Sequence, residues 1–249
     1  GDQRVVAYNL GYPTISLVKD VMILRRALAY RPDLIVWPTT LEAFPRQRQL
    51  DSPLAANNAA EIAGWYPVDA AAGGGLARLA DNSIAGQRRA LADLVRLQAY
   101  GVMWATTGID QAMPERYTPA AVDLEADATY HGWLPDTGLP SEGLVFDVLA
   151  QGIGMAESAG VPVLVVNEPM LISQGENSDV RYNFFYPRWA YDAWRAELAA
   201  RSAREGWDLL DAWDLLPPQE FTNSAIHLTP AGEKTLAEKV GAEICGVAR

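Results

Sequence analysis

Arg31-Pro32-Asp33-Leu34-Ile35-Val36-Trp37 decides the fold, because a helix-stopping proline is followed at once by a short, continuous apolar run. Such a run reads as a strand buried on both faces, and the residue before a proline is pushed out of the helical region. Upstream, Ser16 can cap a helix whose Leu17, Val21, Leu24 and Leu28 recur on one side. Further upstream, Val5 to Leu10 is a second apolar run and reads as the first strand present. The result is a strand, helix, strand unit.

The alternation resumes later in the chain. The spacing predicts a helix from about Glu142 to Ala159, a strand at Val161 to Val166 and a helix near Arg188 to Arg204. A strand at Trp207 to Leu210 and a last helix follow. Thr229 and Pro230 supply the N-cap and first position of that last helix, and Leu236, Val240 and Ile244 its apolar stripe. This order implies an α/β fold, a parallel sheet with helices on both faces. Residues 43–140 exceed an ordinary connection and are expected as a helical insertion or lid in a single domain spanning 1–249. The segment holds Ala70-Ala71-Ala72-Gly73-Gly74-Gly75, which reads as a loop. It also holds an amphipathic pattern over Ile84 to Val102 that places Leu91, Val95 and Gln98 on one side.

A chain of 249 residues with 49% hydrophobic content can bury a full core. Its formal charge of −11 opposes phosphate backbones and anionic lipid surfaces, so no nucleic-acid partner is expected. No apolar run reaches the roughly 18 residues of a membrane span, and Gly1-Asp2-Gln3-Arg4 reads as leading directly into a strand. The single cysteine, Cys245, excludes an internal disulfide and is expected as a small buried residue of the last helix. Two distant histidines, with no His-x-x-x-His pair, argue against a metal site. The glycine run follows no strand, so no phosphate-binding fingerprint and no cofactor is expected.

Ligands of open parallel sheets bind beyond the carboxyl ends of the strands. Those positions hold Asn9 and Gly11, then Thr39, Thr40 and Glu42, then Asn167 and Glu168, then Asp211 and Asp214, and finally the loop of His227. They are expected to line one crevice. The aromatic run from Tyr182 to Trp189, with Tyr191 and Trp194, suits core packing or the wall of an acyl or sugar pocket. His131, in Tyr130-His131-Gly132-Trp133, stays without an assigned role.

The block Phe221-Thr222-Asn223-Ser224-Ala225-Ile226-His227-Leu228-Thr229-Pro230-Ala231-Gly232 closes the chain just before its last helix. With Asn9-Leu10-Gly11-Tyr12-Pro13 and Arg31 to Trp37, it resembles the SGNH (GDSL-like) hydrolases. That resemblance covers both ends of the chain and implies a flavodoxin-like sheet, a serine nucleophile, oxyanion donors and a late Asp-x-x-His motif. It makes His227 the general base and Gly11 an oxyanion donor. The family's Gly-x-Asn-Asp block falls on Thr40-Leu41-Glu42-Ala43, where Glu42 accepts hydrogen bonds but cannot donate one. Either Thr39 or Thr40 donates instead, or the site does different chemistry. Ser224 stands where the family has aspartate, with Asn223 one residue earlier. Either can hold the imidazole, and Asp211 or Glu168 can substitute as acid through space.

No Gly-Asp-Ser occurs, so the resemblance places the nucleophile on a strand upstream of Gly1. That strand would lie between Val5 to Leu10 and Leu34 to Trp37, supplied by an upstream or partner segment, unless the two strands close on each other through a right-handed crossover over the Ser16 to Tyr30 helix. The implied activity is ester or acetyl hydrolysis on a lipid, carbohydrate or small-molecule ester. The alternative is a catalytically inactive binding domain on the same fold.

Overall fold

The computed structural model describes residues 5–66 and 120–247, together with helical positions 88, 92, 95, 98, 99, 102, 103, 106 and 107. Two compact units divide the chain, Gly1–Ile62 with Thr118–Arg249, and Ala63–Tyr117. Residues 43–62 and 118–140 therefore pack with the sheet-bearing unit. The loop expected over Ala70 to Gly75 lies outside the described residues. So does most of the helix expected over Ile84 to Val102, of which Arg88, Val95, Gln98 and Val102 are described and helical.

The first unit is a mixed α/β body. Helix α1 (Leu17–Leu28) leads to β1 (Ile35–Thr39), and α2 (Phe146–Ser158) leads to β2 (Val163–Asn167). Helix α3 (Arg188–Glu205), β3 (Asp208–Asp211) and α4 (Pro230–Val247) complete it, with short helical segments at Pro53–Asn57 and Ala59–Ile62. The strands form one parallel sheet in the order β1-β2-β3, with Ile35 opposite Val163, Thr39 opposite Asn167, and Asn167 opposite Asp211.

Local chemistry sets the element ends. The Ser16 hydroxyl accepts from the Lys19 N–H at 3.3 Å, capping α1, and the Thr229 hydroxyl accepts from the Gly232 N–H at 3.1 Å, capping α4. Gly206 ends α3 in the left-handed region, φ 81°, where a Cβ is unfavourable.

Side chains alternate between the two faces of a strand. Trp37 meets Gly152 of α2 and lies beside Val21 of α1. Its neighbour Val36 packs on the opposite face with Leu164, Val166, Leu210 and the α4 residues Leu236, Val240 and Ile244. Helices therefore cover both faces, and the central strand β2 is buried throughout. The aromatic run is mainly core: Tyr186, Tyr191 and Trp194 are fully buried, whereas Phe184 and Phe185 are partly exposed.

Two expectations are corrected. Val5 to Leu10 is not a strand: it has no regular secondary structure, and Val5 is 78% and Tyr8 82% exposed. An apolar run becomes a strand only beside a backbone that completes its hydrogen bonds, and no described residue pairs with the outer edge of β1. Cys245 is exposed rather than buried. The adjacent Ile244 carries the packing, and one residue further turns the side chain about 100° around the helix.

Gly152 keeps α2 against the sheet. A Cβ there would lie 2.6 Å from two atoms of the Trp37 ring and 3.0 Å from Val21. Gly152→Val is expected to lower stability by about 2–3 kcal/mol through overpacking. Urea unfolding monitored by tryptophan fluorescence checks this, and an unchanged midpoint would contradict the close contact.

Candidate functional site

The carboxyl ends of β1 and β2 are held together by the backbone. The Glu168 N–H donates to the Thr39 carbonyl at 3.0 Å, and Leu171 N–H to the Ala225 carbonyl at 2.8 Å. The second bond draws the loop before α4 onto the segment that follows β2. A small apolar cluster of Leu171, Leu216, Phe221 and Ala225, flanked by Leu228, seals that junction. The ends of the strands and the His227 loop thus belong to one side of the sheet, where ligands of open parallel sheets bind.

Glu168 is the most perturbed carboxyl there. Burial pushes its pKa up to about 7, the nearby Asp20 charge adds to the rise, and Lys19 opposes it. Asp20 itself is raised, chiefly by burial, although Lys19 pairs with it at 2.8 Å. The Lys19 ammonium also donates to the Tyr12 carbonyl at 2.9 Å, tying the chain beside Gly11 to α1. The Thr39 hydroxyl is buried without a partner among the described residues, and the Thr40 hydroxyl shares a 2.8 Å hydrogen bond with the Tyr186 hydroxyl.

A second polar group surrounds Glu42, on the short 3-10 turn after β1. Arg48 pairs with one carboxylate oxygen, while Tyr130 donates to the other and the His131 Nε2 lies 3.1 Å from it. Arg48 also donates to Asp51 at 3.2 Å. The buried Gln49 binds this region to α1, accepting from the Val18 N–H at 3.1 Å and donating to the Ala43 and Pro45 carbonyls. Tyr130 has its pKa raised well above the usual value, by burial and by the neighbouring Tyr186.

The remaining expected residues are distributed as follows. The Gly11 N–H donates to the Asn9 side chain at 2.8 Å, within an exposed segment. Asn167 is fully buried, accepting from the Tyr191 hydroxyl at 3.0 Å and donating to Asp211 at 2.8 Å. Arg195 completes that chain by donating to Asp211 at 2.6 Å. His227 is exposed, and its carbonyl accepts from the Thr222 N–H at 2.8 Å. Ser224 accepts from the Ile226 N–H, and Asn223 from the Thr222 hydroxyl. Among the described residues no side-chain hydrogen bond joins the His227 ring to Asn223, Ser224, Asp211 or Glu168.

Nothing in the sequence marks Lys19, Asp20, Arg48 or Tyr130 as a site residue, and Tyr186 stands out only as part of the aromatic run. Their signal is weak because each looks like an ordinary surface charge or core aromatic until the fold assembles them. Among the described residues no three histidine, cysteine, aspartate or glutamate side chains group as metal ligands. No described helix is long and apolar enough to cross a membrane. No protein-family model, curated protein or solved structure matches the chain.

A carboxyl whose folded pKa is raised stabilises the fold in its protonated form, so its contribution falls as pH rises through the folded value. For Glu168 the window runs from about 4.5 to about 7. Glu168→Gln is expected to raise Tm relative to the parent at pH 8 and to leave it equal or lower at pH 4.5. Thermal unfolding across that range checks the sign, and a parallel shift at every pH would contradict the raised pKa.

Proposed function

We propose that this chain forms the body of an SGNH-type ester or acetyl hydrolase acting on a lipid, carbohydrate or small-molecule ester. The reading rests on one observation: the ends of β1 and β2 and the loop of His227 meet on one side of a parallel sheet. His227 serves as general base, taking a proton from the nucleophile and returning it to the leaving group. Thr40 and Gly11 are the proposed oxyanion donors, each released from its present hydrogen bond when substrate enters. Asn223 or Ser224 holds the imidazole. The serine is carried by a further strand on the open edge of β1, making the sheet flavodoxin-like.

A second reading is a binding domain on the same scaffold. The engagement of Glu42 by Arg48, Tyr130 and His131 favours it, since a carboxylate occupies the position of an oxyanion donor.

Hydrolysis of p-nitrophenyl acetate separates the two. Residues 1–249 alone are expected to show little turnover, whereas protein expressed from the complete reading frame turns over. His227→Ala should then lower kcat by about 10²–10⁴-fold. Turnover by residues 1–249 alone, abolished by His227→Ala, would place the serine within them. Absence of turnover by the complete protein would favour binding.

A further inference from the structure

His131 occupies an uncommon backbone position. The turn Tyr130-His131-Gly132-Trp133 closes with hydrogen bonds in both directions between Tyr130 and Trp133, at 3.0 and 2.8 Å. Its two central residues have φ of 50° and 83°. This is the geometry of a type I′ turn, which favours glycine, asparagine or aspartate at both positions. A histidine held in the left-handed region costs about 1–3 kcal/mol, and such outliers cluster where a side chain is needed.

The ring reaches Glu42, with Nε2 and a carboxylate oxygen 3.1 Å apart. That carboxylate is fixed on its other side by Arg48, and Tyr130 donates to the same oxygen as His131. With Nε2–H donated to the carboxylate, Nδ1 carries the lone pair, and the described residues supply it with no partner. The His131 side chain retains 22% exposure. Burial and then the Arg48 charge lower the pKa of the ring, Asp51 acting in the opposite direction, so the base form prevails at neutral pH. Glu42 stands three residues beyond the end of β1, at the carboxyl edge where Thr40 and Tyr186 meet.

We propose that Glu42 and His131 form a general-base dyad, separate from His227, that activates water against the carbonyl of the acyl-serine ester formed in that hydrolase reading at the carboxyl end of β1, the step that follows acyl transfer. The choice of an ester rests on the hydrolase reading above. His131 Nδ1 takes a proton from water as the water oxygen bonds to the carbonyl carbon. The bond from that carbon to the alkoxy oxygen then breaks, and the same proton passes to the departing alkoxide. Glu42 keeps the Nε2 proton throughout, fixing the tautomer and stabilising the transient imidazolium. The glutamate that departs from the family pattern thereby acquires a role: it orients a base instead of donating to an oxyanion.

The chain has two histidines, so peptide-resolved mass spectrometry of diethylpyrocarbonate modification reads each separately, without any need for turnover. In protein from the complete reading frame, His131 is expected to react faster than the more exposed His227. Glu42→Gln should slow His131 several-fold and leave His227 unchanged. A purely structural ring would react more slowly than His227, and that ranking in the unmutated protein overturns the proposal even if the variant fails to fold. Turnover of p-nitrophenyl acetate then tests the role: His131→Ala should lower kcat by about 10²-fold, with recovery on adding imidazole. Loss with His227→Ala but not with His131→Ala overturns the dyad and leaves the hydrolase reading intact. No turnover by the complete protein overturns the hydrolase reading and, with it, the dyad's role on an ester. The modification rates still report separately whether the activated pair exists.

Discussion

Asn167 is an amide with no exposed surface at the end of a strand buried on both faces, and a buried amide has to find its hydrogen-bond partners inside the protein. It finds them in Tyr191 of α3 and Asp211 of β3, and Asp211 finds Arg195. Removing Tyr191 or Asp211 as a partner leaves the buried Asn167 amide unmet, which costs about 1–3 kcal/mol, whereas the part-exposed Arg195–Asp211 pair contributes less because water can replace it. The chain of contacts therefore fixes how far α3 stands from the sheet and where the backbone leaves β2. The next residue is Glu168, whose surroundings are set by that exit.

Around this fixed point the carboxyl edge of the sheet carries two polar neighbourhoods of different character. Near Glu168 the carboxyls of Asp20 and Glu168 share one ammonium, Lys19, so charge is incompletely balanced and a proton is retained to near neutrality. Around Glu42 both carboxylate oxygens are engaged, by a guanidinium shared with Asp51, a phenol and an imidazole. The first arrangement suits a group that changes protonation, and the second suits one that orients a neighbour.

The order of elements was legible in the sequence because it rests on local chemistry. Ser16 and Thr229 cap the helices that follow them, and Pro32 separates α1 from β1. The apolar stripe Leu236, Val240 and Ile244 packs on the sheet as its spacing requires. What failed was relational. Val5 to Leu10 has the composition of a strand, yet pairing depends on a neighbouring backbone that composition does not report. The site was legible as a set of positions after strands but not as a set of interactions. Glu42 was visible as a departure from a family pattern. Its partners Tyr130 and His131 come from a distant turn brought back by folding, and the raised pKa of Glu168 depends on a carboxylate in α1.

The outer strand of the sheet carries one more consequence. Ile35 donates to the Pro162 carbonyl, and the Thr39 carbonyl accepts from Glu168, so the backbone groups of Val36 and Pro38 turn away from β2. Proline has no N–H, which leaves this rim with two acceptors but a single donor. Identical rims brought together would leave carbonyls without donors opposite each Pro38, so edge-to-edge pairing of copies is weakened. Fibril growth through this strand is thereby discouraged, while a segment offering surplus N–H groups still finds a match.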